Sequence, residues 1–160
     1  MDSTFVKNIY GRHCTGRNPT DRGRKAVKIS VLVDNRGIIL GILPTPANIP
    51  DVVLLRDTLQ ASLIPLDHNT PLLADKGYDS RKNRKICHDF KLLDRISRKK
   101  QKTGRRMNAK RSIVERCFSW LDKYRRLIMM YEQNIETHIS FILFVMGNIQ
   151  LNRSTIRNLN

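Results

Sequence analysis

The sequence predicts an α/β domain with a mixed sheet flanked by helices. Three observations carry that reading: two apolar runs joined by a turn signal, a short apolar strand set between helical patterns, and two helical patterns at the end. Thr4–Ile9 reads as a first short strand, with Asp2 at its start. A loop punctuated by Gly16, Pro19 and Gly23 follows. Lys25–Asp34 carries Val27, Ile29, Val31, Leu32 and Val33, and Ile38–Leu43 is a second apolar run. Asp34-Asn35-Arg36-Gly37 between them makes the two a β-hairpin, which Pro44 and Pro46 are expected to end.

Val52, Leu55, Leu59 and Leu63 have helical spacing after a Pro50-Asp51 start, predicting a helix over 51–63. Pro71–Ala74 is a short continuous apolar run, as in a strand buried on both faces. Ser80 is placed to cap a helix over 81–90, and 91–96 is a candidate strand. The stretch 98–110 is dense in charge and reads as a mobile basic loop. A long helix is expected over 109–131 and a largely apolar one over 136–152.

A chain of 160 residues with 40% hydrophobic content fits one domain with a real core. The formal net charge of +16 favours a polyanion as partner, and nucleic acid leads because Lys and Arg displace its counterions. The longest apolar stretch, 139–145, is shorter than the ~20 residues a membrane span needs. No secretory signal is read at Met1-Asp2-Ser3. Three dispersed cysteines, Cys14, Cys87 and Cys117, suit a reducing cytoplasm. His13-Cys14 and Cys87-His88 lack the usual ligand spacing of a zinc site.

Three acids stand out by context. Asp2 begins a strand, Asp75 ends one, and Glu115 lies on the long helix. With Ile113 at zero, the apolar stripe of that helix centres near ~60° and Glu115 falls at ~200°, off the core face. Carboxylates converging at a sheet end suit Mg²⁺, a hard cation that takes oxygen ligands. Each acid also has a plainer reading. Asp75 could be a turn acid, Glu115 a surface partner of Arg111 or Ser119, and Asp2 a solvated acid. The basic run could be a solvated loop, and Trp120 a core residue in place of a base-stacking one.

Five motifs occur in order: Asp2-Ser3-Thr4, Asn18-Pro19-Thr20-Asp21-Arg22-Gly23, Ala47-Asn48-Ile49-Pro50-Asp51, Leu73-Ala74-Asp75-Lys76-Gly77-Tyr78-Asp79-Ser80, and Val114-Glu115-Arg116-Cys117-Phe118-Ser119-Trp120-Leu121. In this the chain resembles the bacterial insertion-sequence transposases of the DDE class, in the insertion sequence five group, from Asp2 to about Leu151. The resemblance implies a ribonuclease H-like fold and metal-dependent strand cleavage and strand transfer, with Mg²⁺ or Mn²⁺ held by Asp2, Asp75 and Glu115 as the catalytic acids. It implies DNA as partner, both inverted-repeat ends and target, and a bacterial cytoplasmic, nucleoid-associated protein with no membrane partner. A homodimer, or the product of an upstream reading frame, is a further candidate partner. Tyr78 and Arg111 match helper positions of the family. Together with Lys99, Lys100, Lys102, Arg105, Arg106 and Lys123 they are the candidate DNA contacts. Asn108 stands where relatives have tyrosine, and Asp122 where they have lysine, with Lys123 one place late.

The catalytic domain is expected over 1–153, N-terminally incomplete, with a tail over 154–160. The family's end-binding region and the leading stretch of its first strand do not precede Asp2 here, which places Asp2 on a frayed end. Two alternatives remain beside the enzyme: a non-catalytic DNA-binding regulator, and an inactive truncated remnant.

Overall fold

The structure is a computed structural model that describes residues 1–98 and 105–158, with the helical backbone alone for 105–112 and 154–158. Its elements are β1 (Asp2–Asn8), β2 (Gly16–Arg17), β3 (Lys25–Val33), β4 (Ile39–Pro46), α1 (Asp51–Gln60), β5 (Pro71–Ala74), α2 (Arg81–Asp89), β6 (Leu93–Ile96), α3 (Arg105–Leu121), α4 (Arg125–Ile128), β7 (Met129–Met130) and α5 (Ile135–Asn158). A single 3-10 turn, Lys76–Tyr78, follows β5.

β3 is the spine of the sheet. β1 pairs antiparallel along one side of it, while β4 and the two-residue β2 pair antiparallel along the other. β7 joins the far end of β1 in parallel. β5 and β6 form a second, parallel pair connected through α2. A mixed sheet with helices on both sides is therefore the observed class.

Strand alternation sorts the core into two layers. Val27, Ile29 and Val31 of β3 face α3 and α5, where Val114, Cys117, Leu121, Ile142 and Met146 pack on them. Leu32 turns to the opposite face and joins Leu55 and Leu59 of α1, Ile86 and Cys87 of α2, and Leu72 and Ala74 of β5. No helix among the described residues is long and apolar enough to cross a membrane.

Several boundaries differ from expectation for local reasons. β4 continues through Pro44 and Pro46, which pair with Ile29 and Val27 of β3. Proline can sit at such alternate positions of an edge strand because the missing N–H would face away from the ladder. α1 stops at Gln60, and Ser62 instead bridges to Gly41. The long helix expected over 109–131 is shorter at one end and longer at the other. It starts at Arg105 and ends at Leu121, and α4 and β7 follow as separate elements. The basic segment thus meets a helix four residues sooner than the loop reading allowed, while 99–104 lie outside the described residues. α5 runs on to Asn158. Asp2 is not on a frayed end: it is paired with Val31, and Met1 before it is buried.

The hairpin turn is held as its residues dictate. The Asp34 carboxylate accepts the backbone N–H groups of Arg36 and Ile38 at 2.8 Å each. Gly37 has φ +87, and a β-carbon there would stand 3.2 Å from the Trp120 ring, so both backbone and packing require glycine.

A buried polar pair, Glu132 and His138, is joined by the exposed Arg126. Glu132 accepts from Arg126 at 3.0 Å and meets His138 Nδ1 at 3.1 Å, and His138 is fully buried. Burial holds the His138 imidazole below its ordinary pKa, although Glu132 pulls the other way. The Glu132 carboxyl is pushed up by burial, but its backbone bond, His138 and Arg126 outweigh that and hold it low. Both groups therefore take up protons more readily unfolded than folded. Their stabilisation is present above the unfolded-state values and is lost as pH falls from those values through the lower folded-state ones. The melting temperature should fall on acidification from about pH 7.5 to 5.5, across the ordinary histidine range. His138→Gln should flatten that slope. A melting temperature constant over this window would contradict a buried neutral His138.

Candidate functional site

The register of β1 on β3 decides where Asp2 points. Asp2 stands opposite Val31, and opposed residues of an antiparallel pair share a face. Val31 packs in the α3–α5 layer, so Asp2 emerges on the α3 side, whereas Ser3, opposite Ser30, emerges on the α1 side. β5 alternates in the same way. Leu72 and Ala74 enter the α1–α2 layer, which sends Leu73 and Asp75 to the α3 side.

Two contacts bring β1 and β5 together. The Met1 backbone nitrogen donates to the Leu73 carbonyl oxygen at 2.9 Å. Five residues further on, Tyr78 lies against Ser3. The first of these ties the residue before Asp2 to the strand that ends just before Asp75. Asp2 accepts the Ser3 N–H at 2.9 Å, and Asp75 caps the following turn by accepting the Lys76 N–H.

Glu115 lies on the helix above. Trp120 and Ile113 of α3 sit over Gly37 at the β3–β4 turn, while Phe118 shares a cavity wall with Thr4 and Phe5 of β1. At ~100° per residue, Glu115 lies ~60° beyond Phe118, on the flank turned from the hairpin towards β1 and β5. Its side chain is exposed there. Among the described residues, no three His, Cys, Asp or Glu side chains gather closely enough to hold a metal together. The structure thus ties the residue before Asp2 to the strand that ends before Asp75, and carries Glu115, exposed, on α3. That donor set still fits Mg²⁺, which is usually held by one or two carboxylates with waters and phosphate oxygens completing its octahedron.

The side chain of Tyr78 is not where a DNA contact would be. The ring is 1% exposed and belongs to the α1–α2 core layer, so it has no face to offer a base or a phosphate. Its hydroxyl lies against Ser3 and Ser30 without a well-formed hydrogen bond. Burial, then the nearby Asp51 and Asp2 carboxylates, push its pKa well above the ordinary phenol value.

Lys123 is exposed just past the end of α3. Lys99, Lys100 and Lys102 lie outside the described residues, and so do the side chains of Arg105, Arg106 and Arg111. Trp120 is half-buried, with the Arg153 guanidinium 4.4 Å from its ring centroid.

Sequence reading missed a polar cluster under the two acids. Lys28 is 4% exposed in the middle of β3, and its Nζ donates to Asp51 at 2.8 Å and to the Ile49 carbonyl at 2.6 Å. The Ser3 hydroxyl donates to the same Asp51 oxygen at 2.9 Å. One signal was available: a lysine alternating with serine on one face of an apolar central strand needs a buried counter-ion. Asp51 had been read only as a helix start.

The family model for the transposase DDE domain matches residues 1–149. The chain is also similar to a putative transposase for insertion sequence element IS402 of Burkholderia cepacia, at 32% identity over 140 residues. That match covers 83% of this chain and 66% of the relative, so the chain spans just under two thirds of the relative's length.

The placement of Tyr78 has a direct test in urea denaturation. Tyr78→Ala should cost about 3–5 kcal/mol, as aromatic truncation in a core does. Tyr78→Phe should stay within about 1 kcal/mol, because the hydroxyl makes no well-formed bond to lose. An alanine variant as stable as the parent would return Tyr78 to the surface.

Proposed function

The chain belongs to the transposase DDE domain family, and from that premise we propose that it is the catalytic unit of an insertion-sequence transposase, of the insertion sequence five type, that cleaves DNA and transfers the cut strand to a target. The observation that supports this reading is the Met1–Leu73 hydrogen bond, which ties the residue before Asp2 to the strand that ends before Asp75. The ribonuclease H-like fold is part of the proposal. The path β4-β3-β1, continued through the Met1–Leu73 bond to β5-β6, supports it, with two antiparallel pairs followed by a parallel pair and a helical crossover.

In this reading Asp2 and Asp75 hold Mg²⁺ or Mn²⁺, and Glu115 completes the set from α3. The bound cations supply Lewis-acid activation of the attacking oxygen and stabilisation of the leaving one. The chain's own residues do the rest. β1 and β5 fix two carboxylates in one orientation, and α3 presents the third. Lys99, Lys100, Lys102, Arg105, Arg106, Arg111 and Lys123 neutralise backbone phosphates of the bound DNA. Attack is in line, first by water and then by a DNA 3′-hydroxyl, with no covalent protein intermediate. The substrates are the element's inverted-repeat ends and a target duplex, met in the bacterial cytoplasm. A second copy, or an upstream-frame product, is a further partner in this reading.

Two measurements check the proposal. Asp75→Asn or Glu115→Gln should abolish Mg²⁺-dependent nicking of an end-bearing duplex while leaving its affinity unchanged or raised. Asp122→Asn, an exposed acid outside the motifs, should nick within a few-fold of the parent. Cleavage by both acid variants at the parent's rate would remove Asp75 and Glu115 from the reaction. DNA affinity should also fall with salt, by about 0.9 in log–log slope for each phosphate neutralised. A flat salt titration would rule out the phosphate clamp.

A further inference from the structure

Asp51 occupies a place that helix start alone does not explain. It is the first residue of α1, and its carboxylate reaches three other parts of the chain. Oδ1 accepts from Ser3, the residue next to Asp2, at 2.9 Å. The same oxygen accepts from Lys28 of β3 at 2.8 Å. Oδ2 lies under the turn that follows Asp75: a β-carbon on Gly77 would stand 3.3 Å from it. That spacing is tighter than an ordinary side-chain contact, so glycine in Asp75-Lys76-Gly77-Tyr78 lets the turn settle on Asp51.

The next residue of α1 reinforces the grip. The Asn83 side chain, buried at 1% exposure, donates to the Val52 carbonyl at 2.9 Å and to the Tyr78 carbonyl at 2.8 Å. The first turn of α1 therefore meets the turn after Asp75 closely at Gly77 and, through Asn83 of α2, at the Tyr78 carbonyl, and it holds the Ser3 side chain next to Asp2. Lys28 completes the device. Its ammonium, held also by the Ile49 carbonyl at 2.6 Å, gives Asp51 a fixed charge partner anchored in the central strand. Two segments joined directly by the Met1–Leu73 hydrogen bond are thereby also referred to a single carboxylate.

We propose that Asp51, braced by Lys28, is a positioning residue that sets the separation of the Asp2 and Asp75 carboxylates and so their affinity for a divalent cation. The inference rests on the proposed metal role of those two acids. Asp51 acts through Ser3 on one side and through the Gly77 turn on the other, and it does not touch the cation. Its charge is engaged by Lys28, on the α1 side of the sheet.

The test is Mn²⁺ binding to the full chain, read by electron paramagnetic resonance of the free ion, without reference to catalysis. Asp51→Asn keeps the shape of the side chain and loses the charge that holds Lys28. Ser3→Ala removes only the tether to β1, and it carries the test if the asparagine variant does not fold by circular dichroism. Both should raise the dissociation constant about 10–100-fold, the usual effect of losing a group that orients metal ligands. Asp89→Asn, which breaks only the exposed pair with Arg56, should bind like the parent. Asp75→Asn separates the two claims. If it loses Mn²⁺ while folded Asp51→Asn and Ser3→Ala bind within twofold of the parent, the positioning role is overturned and the metal site stands. If Asp75→Asn itself binds like the parent, the metal site falls, and the positioning role with it.

Discussion

A lysine ammonium in the middle of a central strand is the constraint around which this domain is arranged. Burying such a charge is costly unless it is paired and hydrogen-bonded. Lys28 is enclosed between the sheet and α1, and its partner, Asp51, has to arrive at one defined point. That requirement fixes the start of α1 against β3. Once α1 is placed, Leu55 and Leu59 fill the layer beneath the sheet and the turn after β5 is seated on the helix. The Lys28 ammonium also lies 5.2 Å from the Phe5 ring centroid, so β1 meets the same charge from its own side.

Sheet parity carries that arrangement across to the other face. With Ser3 held towards α1, Asp2 has to turn towards α3, and with Ala74 in the lower layer Asp75 does the same. The Asp51–Ser3 and Met1–Leu73 bonds anchor the residues that flank Asp2. Polar residues beneath the sheet thus fix geometry.

Much of this was legible in the residues. Alternation in Val27, Ile29 and Val31 gave β3, and Asp34 with Gly37 gave its turn. Ser80 marked the start of α2, where its hydroxyl accepts the Asn83 N–H at 3.1 Å. What failed did so where a local rule met a tertiary one. Pro44 and Pro46 looked like strand terminators, but an edge position tolerates them. The apolar spacing of 113–128 continued through a chain that turns at 122–124 so that β7 can reach β1. Tyr78 followed an acid in a recognisable motif and was read as a surface contact, yet its ring fills the core. Partners distant in sequence, such as Lys28 with Asp51 and Met1 with Leu73, leave no periodic signal and emerge only in the fold.

The central claim is that Asp2 and Asp75 form one cation site at the sheet end that α3 covers. Anomalous diffraction from Mn²⁺ in a crystal of this chain bound to a DNA duplex tests it most directly. The account predicts a peak in contact with carboxylate oxygens of both Asp2 and Asp75, with a DNA phosphate oxygen or water on its open side. Ordered DNA at this face, Mn²⁺ sites elsewhere on the protein and no peak between those two carboxylates would contradict it.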